Sequence, residues 1–156
     1  MLLQDQVKSW HILIVDDHPD SLDVVSFTVQ AYGAHVLTAN NGIEALAVLQ
    51  SADVTFVLLD LSMPEMDGWD LIKHIRSDER TADLPVIALT AHAMAGDREK
   101  VMSAGFDGYL TKPLSPLSFL EDLMAAFKEK EGLVERVANR ARLGSGKLIR
   151  ENGRVK

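Results

Sequence analysis

Thr55-Phe56-Val57-Leu58-Leu59-Asp60 is a short apolar run closed by a carboxylate. Its apolar residues are consecutive rather than alternating, which suits a strand buried on both faces of a parallel sheet. Two other runs read the same way, His11–Val15 and Val86–Thr90. His35–Thr38 and Gly108–Leu110 complete a set of five.

Helical patterns separate the runs. Leu22, Val25, Val29 and Tyr32 share one face of the first helix, with Pro19 in its first turn and Gly33 just past its end. The second spans about Ile43 to Gln50, with Asn40 or Asn41 as its cap. The third spans about Trp69 to Arg76, and the fourth about Met94 to Ala104, stopping at Gly105. Ser115-Pro116 opens the fifth, which shows Leu117, Leu120, Leu123, Met124 and Phe127 on one side. Strict alternation of strand and helix predicts an α/β fold: one parallel sheet with helices on both faces.

The chain has 156 residues, enough for one ordinary domain and too few for two full-sized ones. With no cysteine, disulfides and thiolate metal sites are excluded. The N-terminus has no signal-peptide pattern, and no apolar run approaches the roughly 20 residues that span a bilayer. A soluble, cytoplasmic protein is expected. Charge is uneven: residues 1–127 hold 7 Lys+Arg against 19 Asp+Glu, whereas 128–156 hold 9 against 4. An acidic body argues against direct nucleic-acid binding, while the basic tail could attract an acidic partner weakly.

Chemistry gathers at the carboxyl ends of the runs. Asp16-Asp17 follow the first, Asp60 the third, Thr90 ends the fourth and Lys112 follows the fifth. Parallel strands put these ends on one edge of the sheet, where ligands of such folds bind. Clustered carboxylates repel one another, and a hard divalent cation, Mg²⁺ or Mn²⁺, relieves that repulsion. A lysine adds a compact positive charge and a threonine a hydroxyl donor. The inventory suits phosphoryl transfer to a carboxylate.

These residues lie in four blocks: Ile12-Leu13-Ile14-Val15-Asp16-Asp17, Leu58 to Gly68, Ala88-Leu89-Thr90-Ala91, and Gly108-Tyr109-Leu110-Thr111-Lys112-Pro113. In order and spacing they strongly resemble the receiver domain of two-component response regulators. The resemblance covers about His11 to Phe127 and implies a flavodoxin-like (βα)5 sandwich with strand order 2-1-3-4-5. It implies that Asp60 accepts phosphate from the phosphohistidine of a histidine kinase or histidine phosphotransfer protein. It also implies that Asp16, Asp17, Asp60 and the Ser62 backbone carbonyl hold Mg²⁺. Lys112 would contact the phosphoryl group, and Thr90 and Tyr109 would report it to the surface of the fourth helix, fifth strand and fifth helix, where a downstream protein binds. Ser62, Ala91 and His92 stand where the family tunes phosphoryl lifetime, and His92 reads as either a pH-sensitive contact or a solvated side chain. Lys112-Pro113 stands where the family often has a cis peptide bond.

The expected output is a signalling switch without metabolite turnover. Asp-X-Asp hydrolases also form phosphoaspartate, but position 18 is His where they need their second acid. No glycine-rich phosphate loop follows the first strand, which disfavours a nucleotide-binding enzyme. Residues 1–10 read as an N-terminal extension, 11–127 as the domain and 128–156 as a basic tail. In the tail, Leu133, Val134, Val137, Ala138 and Ala141 could form a helix that Gly144-Ser145-Gly146 breaks, with a disordered end. The alternative for the tail is a docking or homodimer segment. The starting Met favours a stand-alone receiver over a module of a hybrid kinase or transcription regulator, and the intact acid set argues against an unphosphorylated pseudo-receiver.

Overall fold

The structure is a computed structural model that describes residues 6–63, 66–91 and 97–152, with the backbone alone for 143–152. Five strands, β1 (His11–Val15), β2 (His35–Ala39), β3 (Phe56–Asp60), β4 (Val86–Thr90) and β5 (Gly108–Thr111), alternate with α1 (Pro19–Ala31), α2 (Gly42–Ser51), α3 (Gly68–Ser77), α4 (Asp97–Ser103) and α5 (Phe119–Glu129). A further helix, α6 (Leu133–Asn152), follows. All strand pairs are parallel, in the order β2-β1-β3-β4-β5. This is the flavodoxin-like sandwich expected from the sequence.

The consecutive apolar residues of the central strands serve two cores. Ile12, Ile14, Phe56, Leu58, Ile87 and Leu89 face α1, α5 and α6. Leu13, Val15, Val57, Leu59, Val86 and Ala88 face α2, α3 and α4. Successive strand side chains point to opposite faces, so a run buried on both sides must be apolar throughout. β2, at the sheet's edge, is mostly exposed.

Local signals account for several boundaries. Asn41 caps α2, accepting from the Glu44 N–H at 2.9 Å, and Asp67 caps α3 the same way through Asp70. Gly33 has φ of +95°, the left-handed conformation that ends a helix. The expected start of the fourth helix at Met94 lies outside the described residues, and α4 is described from Asp97.

Two terminal segments pack into the core, and two expectations need correction. The N-terminal extension contributes to the core: Val7 and Trp10 are buried, and Trp10 packs edge-on against Phe56 and Phe127 at 5.1 and 6.0 Å. The tail also contributes, since Leu133, Val137 and Ala141 are buried in the same core. α6 continues through Gly144-Ser145-Gly146, because glycine weakens a helix interior by about 1 kcal/mol rather than ending it. Finally, α5 starts at Phe119, and Leu117 is 95% exposed. Residues 115–118 form a separate turn, in which the Ser118 N–H donates to the Ser115 carbonyl.

Candidate functional site

β1, β3 and β5 bring Asp16, Asp60 and Lys112 to one edge of the sheet. Asp16 continues β1, with its N–H donating to the Ala39 carbonyl. Asp60 is the last residue of β3. Lys112 follows β5, held by an N–H bond to the Thr90 carbonyl at 2.8 Å. Lys112 Nζ lies 2.9 Å from Asp16 Oδ2 and 3.3 Å from Asp60 Oδ2. The Lys112–Pro113 peptide is cis.

Gly68 makes the site's floor possible. A Cβ there would lie 2.5 Å from the Asp60 carbonyl oxygen and 2.8 Å from Leu61 Cα. Both are backbone atoms that cannot turn aside, so only glycine lets α3 start this close to the end of β3.

Charge in the site is unbalanced. Asp16 is fully buried, Asp60 almost so, and Asp17 about a third exposed. Burial pushes the Asp60 carboxyl up to about 6, with Asp16 adding to the rise while the Ser62 N–H and Lys112 oppose it. Burial pushes Asp16 the same way, but Lys112 and the His18 N–H outweigh it and hold its carboxyl below the usual value. Burial lowers the Lys112 ammonium, and its two aspartates more than restore it.

Asp16 Oδ2, Asp17 Oδ1 and Asp60 Oδ2 are buried, and one ammonium, that of Lys112, serves the first and third at 2.9 and 3.3 Å. Ligand atoms from Asp16, Asp17, His18 and Asp60 all lie within 4.8 Å of one another. Buried, oxygen-rich donors fit a hard divalent cation.

A cavity of about 830 Å³ opens above these groups. Asp60, Ser62, Thr90, Ala91, Lys112 and Pro113 line it, so most of the expected site residues meet here. Tyr109 does not line it: half-buried, it faces a second cavity with Arg98, Leu110 and Asp122. His92 lies outside the described residues. Sequence reasoning passed over His18, whose imidazole Nδ1 is 3.1 Å from Asp16 Oδ1. Its position beside two acids was visible, but the direction of its ring was not.

Comparison with known proteins bears on most of the chain. The family model for the response regulator receiver domain matches residues 12–125. An uncharacterised 14.6 kDa protein of Leptolyngbya boryana is 43% identical over 70% of this chain and 83% of its own length. The sensor histidine kinase GacS of Pseudomonas protegens is 40% identical over 67% of this chain, which spans only 12% of that protein. Among solved structures, the receiver domain of sensor histidine kinase PA1611 from Pseudomonas aeruginosa, which has a magnesium ion coordinated in its active-site cleft, aligns with a TM-score of 0.66. It is 32% identical, over 74% of this chain and 95% of that one. No helix among the described residues is long and apolar enough to cross a membrane.

Proposed function

Because the chain belongs to the response regulator receiver domain family of two-component signalling, we propose that Asp60 is its phosphoryl acceptor and that its donor is the phosphohistidine of a histidine kinase or histidine phosphotransfer protein. The observation that carries this reading is the convergence of three carboxylates, with oxygens within 4.8 Å of one another, and one lysine at a single edge of the sheet.

An Asp60 carboxylate oxygen attacks phosphorus, the P–N bond to the donor imidazole breaks, and an acyl phosphate forms. Asp16, Asp17, Asp60 and the Ser62 carbonyl would hold Mg²⁺, or Mn²⁺ in its place, which when bound neutralises charge on the phosphoryl oxygens. Lys112, already 3.3 Å from Asp60 Oδ2, supplies a second positive charge to those oxygens. The Ser62 N–H holds Asp60 Oδ1 at 3.1 Å and so orients the acceptor. Ser62 and Ala91, beside the acceptor, set how readily water reaches the acyl phosphate.

The new charge is read by Thr90, which lines the acceptor's cavity, and by Tyr109, which lines the neighbouring cavity between β5 and α5. The downstream protein then binds the α4-β5-α5 surface. Arg98 of α4 and Glu129 of α5 pair across this face at 2.7 Å, so a shift of α4 has a contact to break. The likeness to GacS favours a second reading, in which the chain is one module of a hybrid kinase. The length of the open reading frame separates the two.

The test is incubation with acetyl phosphate and Mg²⁺, followed by intact-mass measurement. The native protein is expected to gain one phosphoryl group and Asp60→Asn none. No gain in the native protein, or equal labelling of the variant, overturns the proposal.

A further inference from the structure

His18 lies over the acidic cluster as a cap. Its Nδ1 is 3.1 Å from Asp16 Oδ1, 3.1 Å from Asp17 Oδ1 and 3.8 Å from Asp60 Oδ2. One imidazole nitrogen thus faces all three carboxylates. It can hydrogen-bond only one of them at a time, and that one is Asp16, since Asp17 Oδ1 lacks a hydrogen bond. The ring is 63% exposed, and as the residue preceding α1 its side chain makes no capping bond. It can therefore swing away without loosening the helix, and its backbone N–H still donates to Asp16 Oδ1 at 2.9 Å.

A Mg²⁺ ion needs oxygens of these same carboxylates at about 2.0–2.1 Å and prefers oxygen to imidazole nitrogen. A ring nitrogen facing all three stands in the space between them that the ion would take. We propose that His18 is an internal competitor for the divalent cation: its imidazole occupies the carboxylates until the ion displaces it, so the side chain sets how much Mg²⁺ the site requires. This rests on the metal site proposed above. His18 acts through the carboxylates as a positioning residue and does not touch the phosphoryl group.

The test is isothermal titration of the full chain with MgCl₂, native against His18→Ala, with His18→Phe as a second variant that keeps bulk but has no ring N–H. The expected result is binding about three- to tenfold tighter in His18→Ala, the size of one lost competing hydrogen bond. His18→Phe separates lost hydrogen bonding from lost bulk, and tighter binding there also supports the proposal. In the native protein, the His18 ring ¹⁵N resonances should shift with the same Mg²⁺ midpoint as the calorimetric binding. Equal affinity in native and His18→Ala, or weaker binding in His18→Ala, overturns the competitor role while leaving the metal site standing. No binding in either protein overturns both.

Discussion

Asp60 and Asp107 are both almost fully buried, and they sit at opposite edges of one sheet. Asp60 ends β3 among two more carboxylates, with Lys112 as the cation at 3.3 Å. Asp107 precedes β5 and is met by Arg76 at 2.9 Å, Lys130 at 2.7 Å and Arg136 at 3.0 Å, with the Val86 N–H donating as well. Burial raises both carboxyls. At Asp60 the rise prevails, to about 6, whereas at Asp107 the cations and the N–H hold the carboxyl below its usual value. Equal burial therefore leads to opposite chemistry. The carboxyl edge crowds acids around a single lysine, and the amino edge matches one acid with three cations. There Arg136 and Arg140 of α6 also bind the Asp83 carbonyl and carboxylate. Lys130, Arg136 and Arg140 of the basic tail thus belong to the domain's own packing.

The largest expected effect separates the two aspartates by function. Asp60→Asn should lose all labelling by acetyl phosphate. Asp107→Asn should be labelled like the native protein, because its charge lies at the other edge. Equal losses in both would break the contrast.

Stability should show the reverse. Asp107→Asn leaves three cations facing an uncharged amide and should cost about 3 kcal/mol in urea unfolding. Amide exchange should quicken in α6 first, since Lys130 and Arg136 tie its start to the sheet. Asp60→Asn removes a carboxylate held among its own kind, and with a chelator present should stabilise the protein at neutral pH by on the order of 2 kcal/mol.

The pH slopes follow with opposite sign. The Asp60 contribution is present below the ordinary carboxylate value and lost as pH rises through about 6. The Asp107 contribution is present above the ordinary value and lost as pH falls through its depressed one. Unfolding followed from acid to neutral pH should show the upper slope vanish in Asp60→Asn and the lower slope shrink in Asp107→Asn.

The smallest effect concerns the backbone beneath the acceptor. Gly68→Ala should cost about 1–3 kcal/mol and slow labelling, because a Cβ there meets the Asp60 carbonyl at 2.5 Å. Unchanged melting and labelling would show that α3 can retreat freely.

The carboxyl edge is legible in the amino-acid sequence alone. Asp60 and Thr90 end strands, Asp16 and Lys112 directly follow them, and parallel strands put like ends together. The amino edge is not legible there. Asp107 meets Arg76, Lys130 and Arg136 over separations of 23 to 31 residues. Read along the chain, those cations look like an ordinary solvated face and a basic tail. Tyr109 shows the same limit from the other side: its neighbourhood in the sequence is that of Lys112, yet it lines a different cavity.

The sequence by itself determined the five strands, their parallel arrangement and the acids at their carboxyl ends, because period, local capping and strand direction are short-range properties. Only the tertiary structure decided which charges neutralise one another. Trp10 and α6 join the core, Asp107 gathers its cations, and His18 turns its ring onto the acidic cluster, because each outcome depends on which distant groups share the space beside a buried carboxylate.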